Sequence, residues 1–190
     1  MRSFTIMAAF LANVLVSGVS CAADVGDIAP EFSCLDDQGQ IWKSRDHIGK
    51  WPVVIFFYPS DFSFCCTRQA VCYRNTHEEL EKECLEVIGI SGDAVEAHRL
   101  FKKAHALKYT LLSDDKGLIA RQFNVPLREG GKAMAVGDDG QTMAIPRKFT
   151  SARWTFIIGV DGRILHRDSG PSPMKDSQVV LEFIKKGNEE

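Results

Sequence analysis

Cys66 is the residue on which chemistry could turn. It stands beside a second thiol, Cys65, in the segment Pro59-Ser60-Asp61-Phe62-Ser63-Phe64-Cys65-Cys66-Thr67-Arg68-Gln69, directly after the apolar run Val53–Tyr58. The run reads as a strand and the residues after Cys66 read as a helix, so the thiol falls where one hands over to the other. Backbone N–H groups in a first helical turn have no intrahelical partner, and that end of the helix dipole is positive. Both effects favour a thiolate, the nucleophilic form of cysteine. The spacing does not suit a metal: there is no Cys-x-x-Cys pair, and the five histidines, His47, His77, His98, His105 and His166, form no ligand pattern. No metal and no cofactor is expected.

The other cysteines set the redox context. The chain of 190 residues has six, at 21, 34, 65, 66, 72 and 84. Residues 1–22 read as a cleaved secretory leader: Arg2, an apolar run from Phe4 to about Val16, then small residues with Ser20 and Ala22 placed for cleavage after Ala22. A cut after Ala23 is the alternative. A lipid anchor on Cys21 is less favoured, because Gly18 stands where a Leu-like residue is required. The expected location is therefore the periplasm or the exterior, where disulfides persist. Loss of the leader leaves an odd number of cysteines, so at least one thiol stays free or pairs transiently. With 23 basic and 25 acidic residues the formal charge is −2, which gives no footprint for nucleic acid.

The elements that must position Cys66 follow from pattern. Val53–Tyr58, Glu86–Ile90 and Trp154–Val160 are continuous apolar runs suited to strands covered on both faces. Asp161-Gly162 joins the third to Arg163–Arg167 as a hairpin. Ile41-Trp42 reads as the far arm of an N-terminal hairpin. Helices are expected over about 66–83, 94–106, 118–123 and 175–186. In the first of these Ala70, Tyr73, His77 and Leu80 form a buried stripe at helical spacing. The order implies an α/β sandwich with a mixed central sheet. The Gly-, Lys- and Asp-rich stretch at about 125–152 reads as an inserted loop or small hairpin within a single domain covering 23–190.

Tyr58-Pro59-x-Asp61-Phe62-Ser63-x-x-Cys66-Thr67 resembles the active-site segment of peroxiredoxins, thiol peroxidases on a thioredoxin-like three-layer sandwich. That family has a proline, a Thr or Ser four residues on, and the peroxidatic cysteine three further. It also has an arginine opening a late strand, here Arg153-Trp154-Thr155-Phe156-Ile157-Ile158. The blocks Val87–Asp93 and Tyr109–Asp114 are similar to its middle blocks, so the resemblance runs from about 26 to 186. It implies Cys66 as the nucleophile, with Ser63, Arg153 and the Cys66 N–H receiving the departing oxygen, and Pro59 shielding the sulfur. It further implies that a Glu or Gln, here Gln69, orients the arginine; a solvated first-turn side chain is the other reading of Gln69. The implied partners are a hydroperoxide and a thioredoxin-like or glutaredoxin-like reductant, and a homodimer is compatible with it.

A resolving thiol is also implied. The bacterioferritin comigratory protein or peroxiredoxin Q group, the nearest in pattern, places it five residues after the nucleophile. Cys72 lies six after and is the first candidate; a half-buried structural thiol is its alternative. Cys84 is the second choice, although at four residues beyond Leu80 it should continue the stripe into the core. Cys34 reads as structural, and Cys65 as part of the pocket wall. Six residues on a helix span about 9 Å, while a disulfide tolerates about 7 Å between Cα atoms. A Cys66–Cys72 bond would therefore require the first turns to unwind. Two rivals lack their spacing: a thioredoxin-type dithiol exchanger needs Cys-x-x-Cys, and a metal carrier on the same fold needs Cys-x-x-x-Cys.

Overall fold

A computed structural model describes residues 23–136 and 140–189. The expected leader, residues 1–22, lies outside the described residues. In chain order the elements are β1 Ser33–Asp36, β2 Ile41–Lys43, β3 Val53–Phe57, α1 Phe64–Lys82, β4 Glu86–Ser91, α2 Val95–His105 and β5 Thr110–Ser113. There follow α3 Leu118–Gln122, β6 Leu127–Val136, β7 Thr142–Ser151, β8 Trp154–Ile158, β9 Ile164–Asp168 and α4 Asp176–Glu189.

Seven strands form one mixed sheet in the order β2-β1-β5-β4-β3-β8-β9. β3, β4 and β5 are parallel neighbours, and β8 runs antiparallel to β3. β3 is an interior strand between β4 and β8, and burial on both faces explains its unbroken apolar sequence. Val53, Ile55 and Phe57 enter one core cluster, while Val54, Phe56 and Tyr58 enter the other. Each such side chain contributes roughly 1.5–3 kcal/mol on burial. One face is covered by α1, α2 and α4, the other by α3 with Phe32 and Trp42. This is the α/β sandwich expected from the alternation of strand and helix.

Helix α1 docks through the expected stripe. Ala70, Tyr73, His77 and Leu80 are buried, and Cys66 and Gln69 extend the same face toward the N-terminus. Phe56 of β3 stacks on Tyr73 with centroids 4.4 Å apart, which fixes the helix over the strand that feeds it. The stripe does not continue to Cys84. That residue is exposed, not packed in the core. Cys84 N–H bonds to Glu81 O at 2.9 Å and Leu85 N–H to Leu80 O at 3.0 Å, closing the helix before another turn can form. Cys84 occupies the left-handed position of this cap, with φ +56°.

The stretch at 125–152 contains β6 and β7, an antiparallel two-stranded sheet of its own. It is longer than the local sequence suggested, because no apolar alternation marks its arms. It crosses the end of β4 closely. A Cβ on Gly92 would sit 2.3 Å from the carbonyl oxygen of Phe149 in β7, so only glycine allows this approach.

Candidate active site

The loop between β3 and α1 sets the position of Cys66. Phe62 takes φ +57°, an uncommon conformation for a bulky residue, and turns the chain into the helix. Ser63 is extended at the N-cap, and the first intrahelical bond runs from Thr67 N–H to Ser63 O at 2.8 Å. The helix begins two residues earlier than its sequence suggests, so Cys66 is its third residue. The N–H groups of Phe64, Cys65 and Cys66 lie ahead of the helical ladder. Cys66 is 2% exposed. Cys65, expected in the pocket wall, instead points outward and is exposed, because adjacent helical residues lie on different faces.

Arg153, at the start of β8, donates from Nη2 to Cys66 Sγ at 3.3 Å. Its Nη1 donates to Gln69 Oε1. Gln69 is fully buried, which rules out the solvated reading. Its Nε2 donates to Asp176 Oδ2 at 2.6 Å. That same oxygen accepts from Tyr73 OH and Thr155 Oγ1, both at 2.9 Å. Burial pushes the Asp176 carboxyl above its ordinary value, against the opposing pull of the Gln69, Thr155 and Tyr73 donors. Asp176 belongs to the first turn of α4 and carried no signal in the sequence: an aspartate there is ordinary helix-start composition.

A second polar cluster holds the loop from the other side. Tyr58 OH donates to Asp61 Oδ1 at 2.8 Å, and His98 Nδ1 lies 2.8 Å from Asp61 Oδ2. His98 Nε2 lies 3.2 Å from the Leu112 carbonyl. Both ring nitrogens face acceptors, an arrangement that favours the doubly protonated ring. Burial pushes His98 down, but the Asp61 charge and hydrogen bond, Asp93 and the Leu112 carbonyl outweigh it, and its pKa is raised. Asp93 accepts the Asp61 N–H and the Ser91 hydroxyl, each at 2.8 Å, on Oδ2. Arg147 of β7 donates from Nη1 to Asp93 Oδ1 at 3.1 Å and to Ser60 Oγ at 2.6 Å. The hairpin is thereby tied to the loop ahead of Cys66.

Pro59 and Ser63 face the hairpin across a cavity of about 310 Å³, lined also by Phe62, Lys132, Met134 and Arg147. Ser63 Oγ donates to Ser60 O at 3.2 Å. A larger cavity of about 590 Å³ lies at Cys34. Burial, with the Asp114 and Asp36 charges, pushes that thiol up to about 12, so it stays protonated and unreactive at neutral pH. Cys72 is half-buried and its Sγ lies 3.6 Å from the Met174 carbonyl. It sits on intact helix, six residues beyond Cys66. Cys84 lies past the far end of α1, about 24 Å of helix away.

Residues 25–167 match the AhpC/TSA family, a span that includes Cys66 and Arg153. The chain is 43% identical over 101 residues to a chloroplastic peroxiredoxin Q of Gentiana triflora, covering 53% of this chain and 46% of that one. It spans about half the length of the plant relatives that it matches. Peroxiredoxin Bcp of Bacillus subtilis is 33% identical over 144 residues, covering 75% of this chain and 82% of its own. The crystal structure of peroxidoxin BcpB from Mycobacterium tuberculosis superposes with a TM-score of 0.70 at 28% identity, covering 85% of this chain and 96% of that one. The thioredoxin-like fold is shared with it. The chain belongs to the AhpC/TSA family, among its peroxiredoxins of the peroxiredoxin Q and Bcp kind.

Proposed function

We propose that the protein is a thiol-dependent peroxidase that reduces hydrogen peroxide or organic hydroperoxides at Cys66. The observation that carries this is the Arg153 guanidinium 3.3 Å from a buried sulfur in the first turn of α1. A guanidinium within reach of a sulfur at the positive end of a helix favours the nucleophilic thiolate form. The thiolate attacks one peroxide oxygen in line. The S–O bond forms as the O–O bond breaks, and the other oxygen leaves as water or an alcohol after taking a proton. Its developing charge meets Arg153, the Cys66 N–H and the Ser63 hydroxyl, which turns away from Ser60 O to donate. Pro59 closes the pocket. Cys66 is left as a sulfenic acid.

A second thiol then attacks that sulfur, forming a disulfide and releasing water. A thioredoxin-like or glutaredoxin-like dithiol returns both sulfurs to the reduced state. Within the chain Cys72 is the candidate for this step, and it requires the first turns of α1 to unwind, since about 9 Å of helical rise exceeds the disulfide limit of about 7 Å. Cys84, at the opposite end of α1, is not proposed. The test is intact mass after one equivalent of peroxide. Cys66→Ser should consume none. Cys72→Ser should accumulate the sulfenic acid or its overoxidised forms; an unchanged disulfide in that variant would move the resolver elsewhere. Export is proposed on the leader pattern of residues 1–22. Ala23 packs in the core, which favours a cut after Ala22, and N-terminal sequencing of the secreted protein checks it.

A further inference from the structure

We infer that Asp176 is a positioning residue for Cys66: its carboxylate fixes which way the Gln69 amide faces, and the amide in turn fixes Arg153 on the sulfur. The inference rests on the peroxidase reading for its kinetic readout but stands on geometry of its own.

Donors and acceptors must match along this chain of contacts. Arg153 has only donors to offer and presents Nη1 to Gln69 and Nη2 to Cys66. Gln69 must therefore turn its oxygen toward Arg153, which sends its NH₂ group the other way. At 0% exposure that group is out of reach of bulk solvent. Asp176 Oδ2 accepts it at 2.6 Å. Tyr73 and Thr155 converge on the same oxygen and hold the carboxylate in place. The result is a linear chain, Asp176–Gln69–Arg153–Cys66, in which each link sets a donor against an acceptor. One buried negative charge on α4 stands behind the guanidinium, although no carboxylate touches it directly. A buried amide with no such partner could take either orientation, and the wrong one would place NH₂ against Arg153.

Asp176→Leu removes the one oxygen on which Gln69, Tyr73 and Thr155 converge. The Gln69 NH₂ loses its acceptor, and nothing on the α4 side then holds the amide against a flip that sets donor against donor at Arg153 and displaces it from the sulfur. Combining Asp176→Leu with Gln69→Glu removes the requirement: a carboxylate has two acceptor oxygens and no donor, so one accepts from Arg153 and the other is open to Tyr73 and Thr155. The charge has only moved one residue along the chain.

The experiment compares wild type, Asp176→Leu and the Asp176→Leu/Gln69→Glu pair. Two rates are read at Cys66 by site-resolved mass: sulfenic acid formation with hydrogen peroxide, and alkylation by iodoacetamide. Asp176→Leu is expected to slow both by tenfold or more, and the pair to recover both to within about threefold of wild type. A merely structural role for Asp176 gives no reason for recovery by a second substitution that adds a buried charge. Unchanged rates in Asp176→Leu overturn the inference, as does a pair no faster than the single variant. Should Asp176→Leu fail to fold, the pair decides alone: recovery supports the chain and failure removes it. If wild type does not react with peroxide while the alkylation rates follow the expected order, the peroxidase reading falls and the positioning role stands.

Discussion

Two buried polar clusters flank the first turn of α1, and they are built on opposite principles. Ahead of Cys66, Asp61, His98, Asp93 and Arg147 form a dense set of ionisable groups in two pairs. Behind it, one carboxylate acts through a neutral amide on one guanidinium. The first joins the active-site loop to β4, α2 and the β6–β7 hairpin, and it does not touch the sulfur. The second touches the sulfur and joins α1 to β8 and α4. The difference teaches a division of labour: the loop cluster sets whether the pocket exists, and the relay sets how reactive the thiol inside it is.

Breaking the loop cluster has the largest expected effect. His98→Ala leaves Asp61 buried with its principal counter-charge gone. Removal of one partner from a buried pair costs about 3–5 kcal/mol. Urea unfolding should record a loss of this size; a change under about 1 kcal/mol would mean that the pair is not structural. Next is Arg153→Met in the relay. The loss of one donor aimed at developing charge costs about a hundredfold or more in rate. Peroxide consumption should fall by that factor with the unfolding midpoint little changed. A variant that loses stability and rate together would erase the division between the clusters.

The two clusters were also unequally legible in the sequence. Cys66, Ser63 and Pro59 lie within eight residues and announce themselves by spacing. Arg153 was found because it opens an apolar strand, and the core strands were found because burial on both faces leaves an unbroken apolar run. Asp176 was invisible: it lies 107 residues from Gln69, and an acid in a first helical turn needs no special explanation. His98 was read as one of five unconnected histidines, since the Asp61 that charges it is 37 residues away. Long-range polar pairs leave no period in a sequence. Cys84 failed for the opposite reason: the stripe predicted its burial correctly for a longer helix, but the left-handed cap at that residue ended the helix first.

The pH dependence of stability sharpens the same contrast. The pKa of His98 is raised in the folded state, so the folded protein keeps a proton that the unfolded chain releases near pH 6.5. Its contribution is fully present below that pH and is lost as pH rises through the higher folded value. Asp93 acts in the same sense, since burial and the Asp61 charge raise it, but its window opens near pH 4. Unfolding free energy should therefore fall as pH rises above about 6.5, by about 1.4 kcal/mol for each unit by which His98 is raised. His98→Gln should flatten that slope, and Arg153→Met should leave it in place. A slope that survives in His98→Gln would assign it to another group.

The smallest effects separate the clusters most cleanly, because a hydroxyl can be removed from each. Thr155→Val removes one hydroxyl donor from Asp176, which keeps Tyr73 and Gln69. Ser91→Ala removes one hydroxyl donor from Asp93, which keeps the Asp61 N–H and Arg147, and it also removes the acceptor of the Asp93 N–H. Stability should fall by about 1 kcal/mol for each hydrogen bond lost, one in Thr155→Val and two in Ser91→Ala. Their effects on Cys66 should differ. Asp176 lies two hydrogen bonds from Arg153, so loosening it should slow the reaction with peroxide a few-fold. Asp93 is linked to the sulfur only through the loop backbone, so Ser91→Ala should leave that rate within experimental error. Urea unfolding and single-turnover peroxide kinetics on the two variants measure both quantities. If Ser91→Ala slows Cys66 as much as Thr155→Val does, the two clusters act as one network and the separation between pocket and reactivity fails.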